Sequence, residues 1–293
     1  MGKGERPEHQ APPEIFYNES EAAKYTSNSR IMQIQASLTQ RAVELLCLPN
    51  DGTPRMLLDL GCGSGLSGEE LSDMGHVWVG TDISPAMLDV ALEREAEGDL
   101  ALHDLGHGLP FRTGTFDGAI SISAVQWLCN ADKRCNEPRK RLKRFFETLY
   151  ACLNRGARAV LQVYPDSPAQ AEMMVSAAMK VGFSGGLVVD YPHSTRAKKF
   201  FLVLMVGSST SLPQAKGLDG QDPEDSDEGA QHVKVSGRER KHTGKRKHGG
   251  KPGKAPTGSK EWIVHKKDTM RKRGYTEIPR DTKYTGRKRK KTV

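Results

Sequence analysis

The sequence has no apolar run approaching the roughly 18 residues that a membrane-crossing helix needs, so no such span is expected. Its opening, MGKGERPEHQAPPE, lacks the apolar stretch of a secretory signal, so none is expected. Gly2 follows Met1, but Arg6 stands where an N-myristoylation site wants Ser or Thr. Cysteine is scarce. There are five, at positions 47, 62, 129, 135 and 152, an odd number with no C-x-x-C pair. That spacing argues against a disulfide framework and a structural zinc site, suits a reducing compartment, and leaves no metal site expected. Aromatic residues are only 6% and hydrophobic ones 36%, enough for a sizeable core but not for one spanning all 293 residues.

What is present is charge, unevenly placed. Lys and Arg number 44 against 36 Asp and Glu, a formal +8. Residues 1–207 hold 21 basic and 25 acidic side chains, net −4, whereas residues 208–293 hold 23 and 11, net +12. Within the latter, 219–228 carry six acids and no base, and 234–293 carry 22 bases against five acids. This pattern reads as a mildly acidic globular domain with a basic tail, and such a tail favours nucleic acid as partner.

The expected organisation is a flexible N-terminal arm over 1–16, a catalytic-type domain over 17–207, a disordered linker over 208–258 and a basic region over 259–293. Ile31, Ile34, Leu38, Ala42 and Leu45 recur at helical spacing, predicting one amphipathic helix over 19–48, with room for a short one before it around 21–25. Strands are predicted over 56–60, 76–81, 99–103, 116–123 and 157–164, and helices over 66–74, 85–97, 138–153 and 169–181. Ser84 before Pro85 is an N-cap signal, and Gly182 a C-cap signal. Two closing strands, 186–191 and 200–206, are joined by PHSTRAKK. Strands alternating with helices predict an α/β doubly wound parallel sheet, here with a closing antiparallel hairpin.

The sharpest feature is LLDLGCGSGLSG, residues 57–68. A strand runs into Gly61, Cys62, Gly63, Ser64 and Gly65, and a helix follows directly. Glycines let a ligand lie against the backbone, and a helix start offers free N–H groups. Gly63-x-Gly65-x-x-Gly68 also matches a dinucleotide fingerprint. Asp59, just before the glycines, favours instead a ligand with a cationic amino-acid moiety over an anionic pyrophosphate. Asp82, beside Ile83 at the end of the next strand, suits ribose hydroxyls in either reading. Asp104 follows the third strand, where it suits an adenine amine with Leu105 at the ring. The alternative is a glycine loop made only for close packing.

LLDLGCGSG, VGTDISPAML, the acid before LPF, and FDGAISISAVQWL resemble the ordered motifs of class I S-adenosylmethionine-dependent methyltransferases over roughly 17–206. RPEHQAPPEIFYNESEAAKYTSNSRI, SISAVQWLCNA, GFSGGLVVDYP and DTKYTGRKRK closely resemble the 18S ribosomal RNA guanine-N7 methyltransferase family, associated with the Williams–Beuren syndrome region. The resemblance is weakest over 208–258. It implies a seven-stranded sheet, S-adenosyl-L-methionine as cofactor, N7 methylation of a guanine in 18S rRNA of the pre-40S particle, and a role in ribosome biogenesis. It also implies a nuclear setting (nucleoplasm and nucleolus), with the cytoplasm as a further compartment, and a small zinc-binding activator subunit as partner.

Guanine N7 carries an in-plane lone pair, so no general base and no catalytic side chain is expected; positioning should carry the rate. After the fourth strand the chain reads Ser121-Ile-Ser123-Ala, without the Asn/Asp-Pro-Pro-Tyr/Phe tetrapeptide of amine methylases. Cys129 has no base or cation beside it and reads as a buried thiol. Ser123 and Trp127 are candidates to position the substrate; Trp127 either stacks on the base or faces the core. Tyr17, Tyr25 and Arg30 either close over the cofactor, Arg30 at its carboxylate, or merely pack and solvate. The cluster Lys133, Arg134, Arg139, Lys140, Arg141, Lys143 and Arg144 either meets phosphate or is a solvated helix face. Lys245–Lys247 and the run Arg287, Lys288, Arg289, Lys290 and Lys291 serve import, RNA contact or both. Two other functions stay open: an assembly factor whose presence matters more than catalysis, and a small-molecule methyltransferase.

Overall fold

A computed structural model describes residues 6–131, 136–194, 197–207 and 212–217, and the single positions 260, 264, 267 and 281. Lys133, Arg134, the acidic run 219–228, Lys245–Lys247 and Arg287–Lys291 lie outside the described residues. The chain divides into two compact units, Met1–Gly237 and Arg238–Val293. In the second, Lys267 pairs with Asp281 at 3.0 Å.

In chain order the first unit runs α1 (Pro7–Gln10), α2 (Pro13–Phe16), α3 (Glu19–Ser27), α4 (Ser29–Leu46), β1 (Met56–Leu60), α5 (Leu66–Asp73), β2 (Val77–Asp82), α6 (Pro85–Glu93), β3 (Asp99–Leu102), β4 (Phe116–Ile122), α7 (Pro138–Cys152), β5 (Leu153–Val163), α8 (Pro168–Val181), β6 (Ser184–Asp190) and β7 (Lys199–Met205). Single 3-10 turns span Leu105–His107 and Val125–Cys129. The seven strands form one sheet in the order β3-β2-β1-β4-β5-β7-β6. Pairings from β3 through β5 are parallel, and β7 runs antiparallel between β5 and β6. The expected doubly wound sheet with a closing hairpin is therefore present.

Alternation along β1 decides the layers. Leu57 packs with Leu38, Ala42 and Leu45 of α4 on one face, while Leu58 packs with Leu142, Phe145, Phe146 and Leu149 of α7 on the other. Each such fully buried side chain contributes about 1.5–3 kcal/mol. Caps set the helix ends. Ser84 Oγ accepts from Met87 N at 3.2 Å, and Gly182 takes the left-handed conformation, φ +118°, that closes α8.

The short helix allowed before the amphipathic one is present as α3, and Asn28 Oδ1 accepts from Arg30 N and Ile31 N and so starts α4 afresh. Two expectations change. The arm expected to be flexible is, from Arg6 onward, helices α1 and α2 tied to the domain: Arg6 Nη1 donates to Tyr164 O at 2.9 Å, and Arg6 and His9 both pair with Asp166. Packing also continues past residue 207. Asp190, 2% exposed, accepts from Arg41 Nε at 2.8 Å and from Lys216 N at 2.8 Å, which fastens 212–217 beside β6.

Candidate functional site

After β1 the chain crosses to β2 on one side, and after β4 to β5 on the other, so a crevice opens at the strand ends between them. A cavity of about 900 Å³, counting its open mouth, lies there. Its floor is Gly61, Cys62, Gly63 and Ser64; its walls include Asp82, Ile83, Asp104, Leu105, Ser123 and Trp127. Each of these was named from the sequence.

Two glycines show why the loop has its form. Gly61 sits at φ +76°, and a Cβ there would fall 2.3 Å from Ala124 Cβ, so only glycine lets the loops after β1 and β4 meet. Gly68 serves another end. A Cβ there would lie 2.1 Å from the Trp78 ring, so this glycine permits helix-to-strand packing and does not meet a ligand.

Asp82 organises the floor. Its Oδ2 accepts from Gly63 N at 2.9 Å and its Oδ1 from Ser84 N at 2.8 Å. Desolvation pushes this carboxyl above the usual range, against the pull of those amides. Asp59 is fully buried beneath the loop rather than on the cavity wall. Its Oδ2 accepts from Ser67 Oγ at 2.6 Å, whereas Oδ1 and, separately, Ser64 Oγ are buried without a hydrogen-bond partner among the described residues. Burial raises the Asp59 carboxyl to about 7, with the Asp82 charge adding to the rise.

Other expected residues are placed differently. Asp104 lines the cavity but is already engaged: its Oδ1 accepts from Arg141 Nη2 at 2.6 Å and from Gly106 N at 2.8 Å. Arg141 thereby leaves the basic cluster and becomes a cavity residue, its side chain 11% exposed. Lys140 and Lys143 keep to the solvated helix face, paired with Glu137 and Glu147. Arg30 is exposed and is not among the lining residues, whereas Gln35 is. Five residues along a helix turn the side chain about 140°, so the two cannot share a face. Gly65 does not line the cavity either; it precedes α5 and packs near Ala91 and Ala96.

Trp127 is at once buried and at the cavity. It is 7% exposed, yet it lines the cavity, with its ring 5.9 Å from Tyr17 and 6.2 Å from Phe16. Tyr17 and Tyr25 also line the cavity, and Ser84 Oγ donates to Tyr17 O at 2.7 Å, latching the N-terminal helices over it. Ser123 is held at φ +58° with its Oγ donating to Gln162 Oε1 at 2.6 Å. Burial pushes the Cys129 thiol up to about 12 and the Cys62 thiol well above its ordinary value, so neither is a nucleophile at neutral pH. Pro13, Met87 and Arg141 were missed as lining residues; Met87 lies inside the quoted VGTDISPAML motif, whereas Pro13 and Arg141 come from segments without a ligand-binding pattern.

Comparison with known proteins completes the picture. A family described as a methyltransferase domain matches residues 58–161, and one described as a methyltransferase involved in Williams-Beuren syndrome matches residues 204–291. The second match runs through 208–258, where the resemblance was weakest. Among solved structures, a TehB-like SAM-dependent methyltransferase from Corynebacterium glutamicum is 19% identical, with a TM-score of 0.48, covering 64% of this chain and 99% of that one. An 18S rRNA (guanine-N(7))-methyltransferase from Arabidopsis thaliana is 56% identical over 97% of this chain and 98% of its own length. Its namesake from Mus musculus is 53% identical over 98% of each. With half or more of its residues shared along nearly the whole length of such relatives, the chain belongs to the 18S rRNA (guanine-N(7))-methyltransferase family.

Proposed function

We propose that this protein transfers the methyl group of S-adenosyl-L-methionine to N7 of a guanine in the 18S rRNA of the pre-40S particle, and so supports small-subunit ribosome biogenesis. The observation that carries the reading is likeness over nearly the full length to enzymes named for that reaction. The cavity fits the cofactor. Ser64 Oγ, on the glycine floor, has no partner among the described residues, as a donor for a bound carboxylate would require, and Asp59 sets a carboxyl beneath that floor, where its charge favours a cationic group above. Asp82 stands where a ribose diol would be held, and Leu105 and Asp104 where an adenine would be enclosed.

When bound, the cofactor supplies an electrophilic methyl group. Everything else asked of the chain is positional. The guanine N7 lone pair needs no base to free it, and the carboxylates among the described cavity residues are not poised as one. Asp82 faces loop amides and Asp104 faces Arg141. Tyr17, Tyr25 and Trp127 exclude water around the reacting atoms, and orientation of this kind can contribute about 7–11 kcal/mol.

The partner reading rests on the sheet edge. β3 is the outermost strand, Leu102 on it is 60% exposed, and Leu92 of α6 and Val77 of β2 are 64% and 55% exposed nearby. An open edge flanked by apolar side chains invites strand addition, so the small zinc-binding activator subunit is proposed to add there. The run Arg287–Lys291 is proposed to serve nuclear import or rRNA contact, with residence in nucleoplasm and nucleolus and passage through the cytoplasm.

N7-methylguanine breaks the RNA chain after borohydride and aniline treatment. Primer extension on 18S rRNA from cells with and without the protein should show one stop that disappears on depletion. A stop that persists without the protein would refute the assignment.

A further inference from the structure

The N-terminal helices bring a carboxylate, itself not among the residues that line the cavity, against the loop that carries Trp127. Glu8 belongs to α1, shortly before the Pro13–Tyr17 stretch that contributes to the cavity wall. Its Oε1 accepts from Gln126 Nε2 at 3.1 Å, and its main-chain oxygen accepts from Asn130 Nδ2 at 3.2 Å. Gln126 is 3% exposed, donates also to Ser123 O at 2.7 Å, and keeps a buried Oε1 that no described protein group satisfies. The carboxylate is thereby fixed to the loop that follows β4. Glu8 Oε2 takes no hydrogen bond from the described residues. Burial, and after it the Glu8 charge, pushes the Tyr17 hydroxyl upward, so the carboxylate acts on a group that lines the cavity. Phe16, Tyr17 and Trp127 pack their rings 5.0–6.2 Å apart alongside.

We propose that Glu8 reads the Watson–Crick edge of the target guanine, its carboxylate accepting the N1–H and a 2-amino hydrogen, with Gln126 and Asn130 holding it beside the aromatic wall. An ionised carboxylate only accepts hydrogen bonds, and guanine alone among the standard purines sets two donors side by side on that edge. Adenine would turn its N1 lone pair to the same carboxylate and be repelled. N7 lies across the base from these donors, so a clamp on the Watson–Crick edge leaves N7 free to face the glycine floor. Unpaired bases in RNA are commonly held in this way, stacked on aromatic rings and hydrogen-bonded along one edge.

The inference rests on the proposed N7 methylation. Its test is calorimetric titration of the full chain, saturated with S-adenosylhomocysteine, with GMP, IMP and AMP. IMP lacks only the 2-amino group. GMP should bind roughly tenfold tighter than IMP, the worth of one charge-assisted hydrogen bond, and AMP should bind more weakly still. Glu8→Gln should bring the GMP-to-IMP ratio close to one while S-adenosylhomocysteine affinity stays unchanged, and Glu8→Asp should fall between. A role confined to holding α1 in place would weaken GMP and IMP alike in these variants and overturn the proposal. So would equal GMP and IMP affinities in the parent chain, or no saturable GMP binding. The two readings fail separately: a primer-extension stop unaffected by depletion sinks the methyltransferase reading, whereas a lost GMP preference sinks only the guanine contact.

Discussion

The two ends of the cavity are built in opposite ways. At the glycine end, the pairing of Gly63 with Asp82 spans 19 residues of chain, and strand ends and loop amides supply most of the polar surface. At the Trp127 end, Gln126 meets Glu8 across 118 residues, and Arg6 meets Tyr164 across 158. The first is a local motif that backbone conformation almost dictates. The second exists only once the N-terminal helices have closed over the sheet, at the entropic cost of a long loop. The lesson is that a polar floor can be preset by short-range geometry, while the wall opposite it is assembled from distant parts.

The largest test of this contrast is Asp82→Lys. It replaces the acceptor of two loop amides with a cation and fills the space beside them. Affinity for S-adenosylhomocysteine, measured by calorimetry, should fall at least about a hundredfold, or nearly 3 kcal/mol. A chain that keeps its affinity, with an unchanged circular dichroism spectrum, would show that the glycine end does not hold the cofactor.

Asp59→Asn should have the next largest effect, and one that depends on pH. The native carboxyl titrates at about 7, above the unfolded value of roughly 4. Between those values the native state holds a proton that the unfolded state has lost, so this group's contribution to stability falls as pH rises from about 4 to 7 and then levels off. The amide cannot titrate. The variant should therefore gain on the parent chain in denaturant melts as pH rises through that window, by up to about 4 kcal/mol. An equal difference between the two at pH 5 and pH 8 would refute the raised carboxyl. S-adenosylhomocysteine should bind the variant less tightly, because a formal charge beneath the loop is gone.

Ser84→Ala should have the smallest effect and probes the seam between the two ends. It removes the N-cap of α6 and the hydrogen bond to Tyr17 O. A loss of about 1–2 kcal/mol in thermal or denaturant melts is expected, with faster hydrogen exchange in α2 and α3. Unchanged exchange there would mean that the N-terminal helices are latched by other contacts, such as Arg6 and His9 on Asp166.

The same contrast governs what could be read beforehand. Strand and helix order, the glycine floor, Asp82 and the closing hairpin follow from alternation, helical spacing and cap residues within short windows, and all appear in the structure. Arg30 lies outside the cavity lining because it stands five residues before Gln35 on α4 and so on another face of that helix. Arg141 failed because, among neighbouring cations on one helix, nothing local says which turns inward; Asp104, from a distant loop, makes that choice. Glu8 lay in a Pro-rich stretch with no apolar period, and only its tertiary partners give it a place.

The sequence by itself therefore determined the sheet, the glycine loop that floors the cavity and the acids at the strand ends, because these depend on backbone preferences that act over a few residues. Only the tertiary structure decided that Asp59 lies beneath the loop, that Arg141 belongs to the cavity, and that the N-terminal helices form a wall of it. Those outcomes depend on which groups meet after the chain has crossed long distances. A buried charge or carboxyl takes whichever partner lies within hydrogen-bond reach, and that is a property of the packed fold.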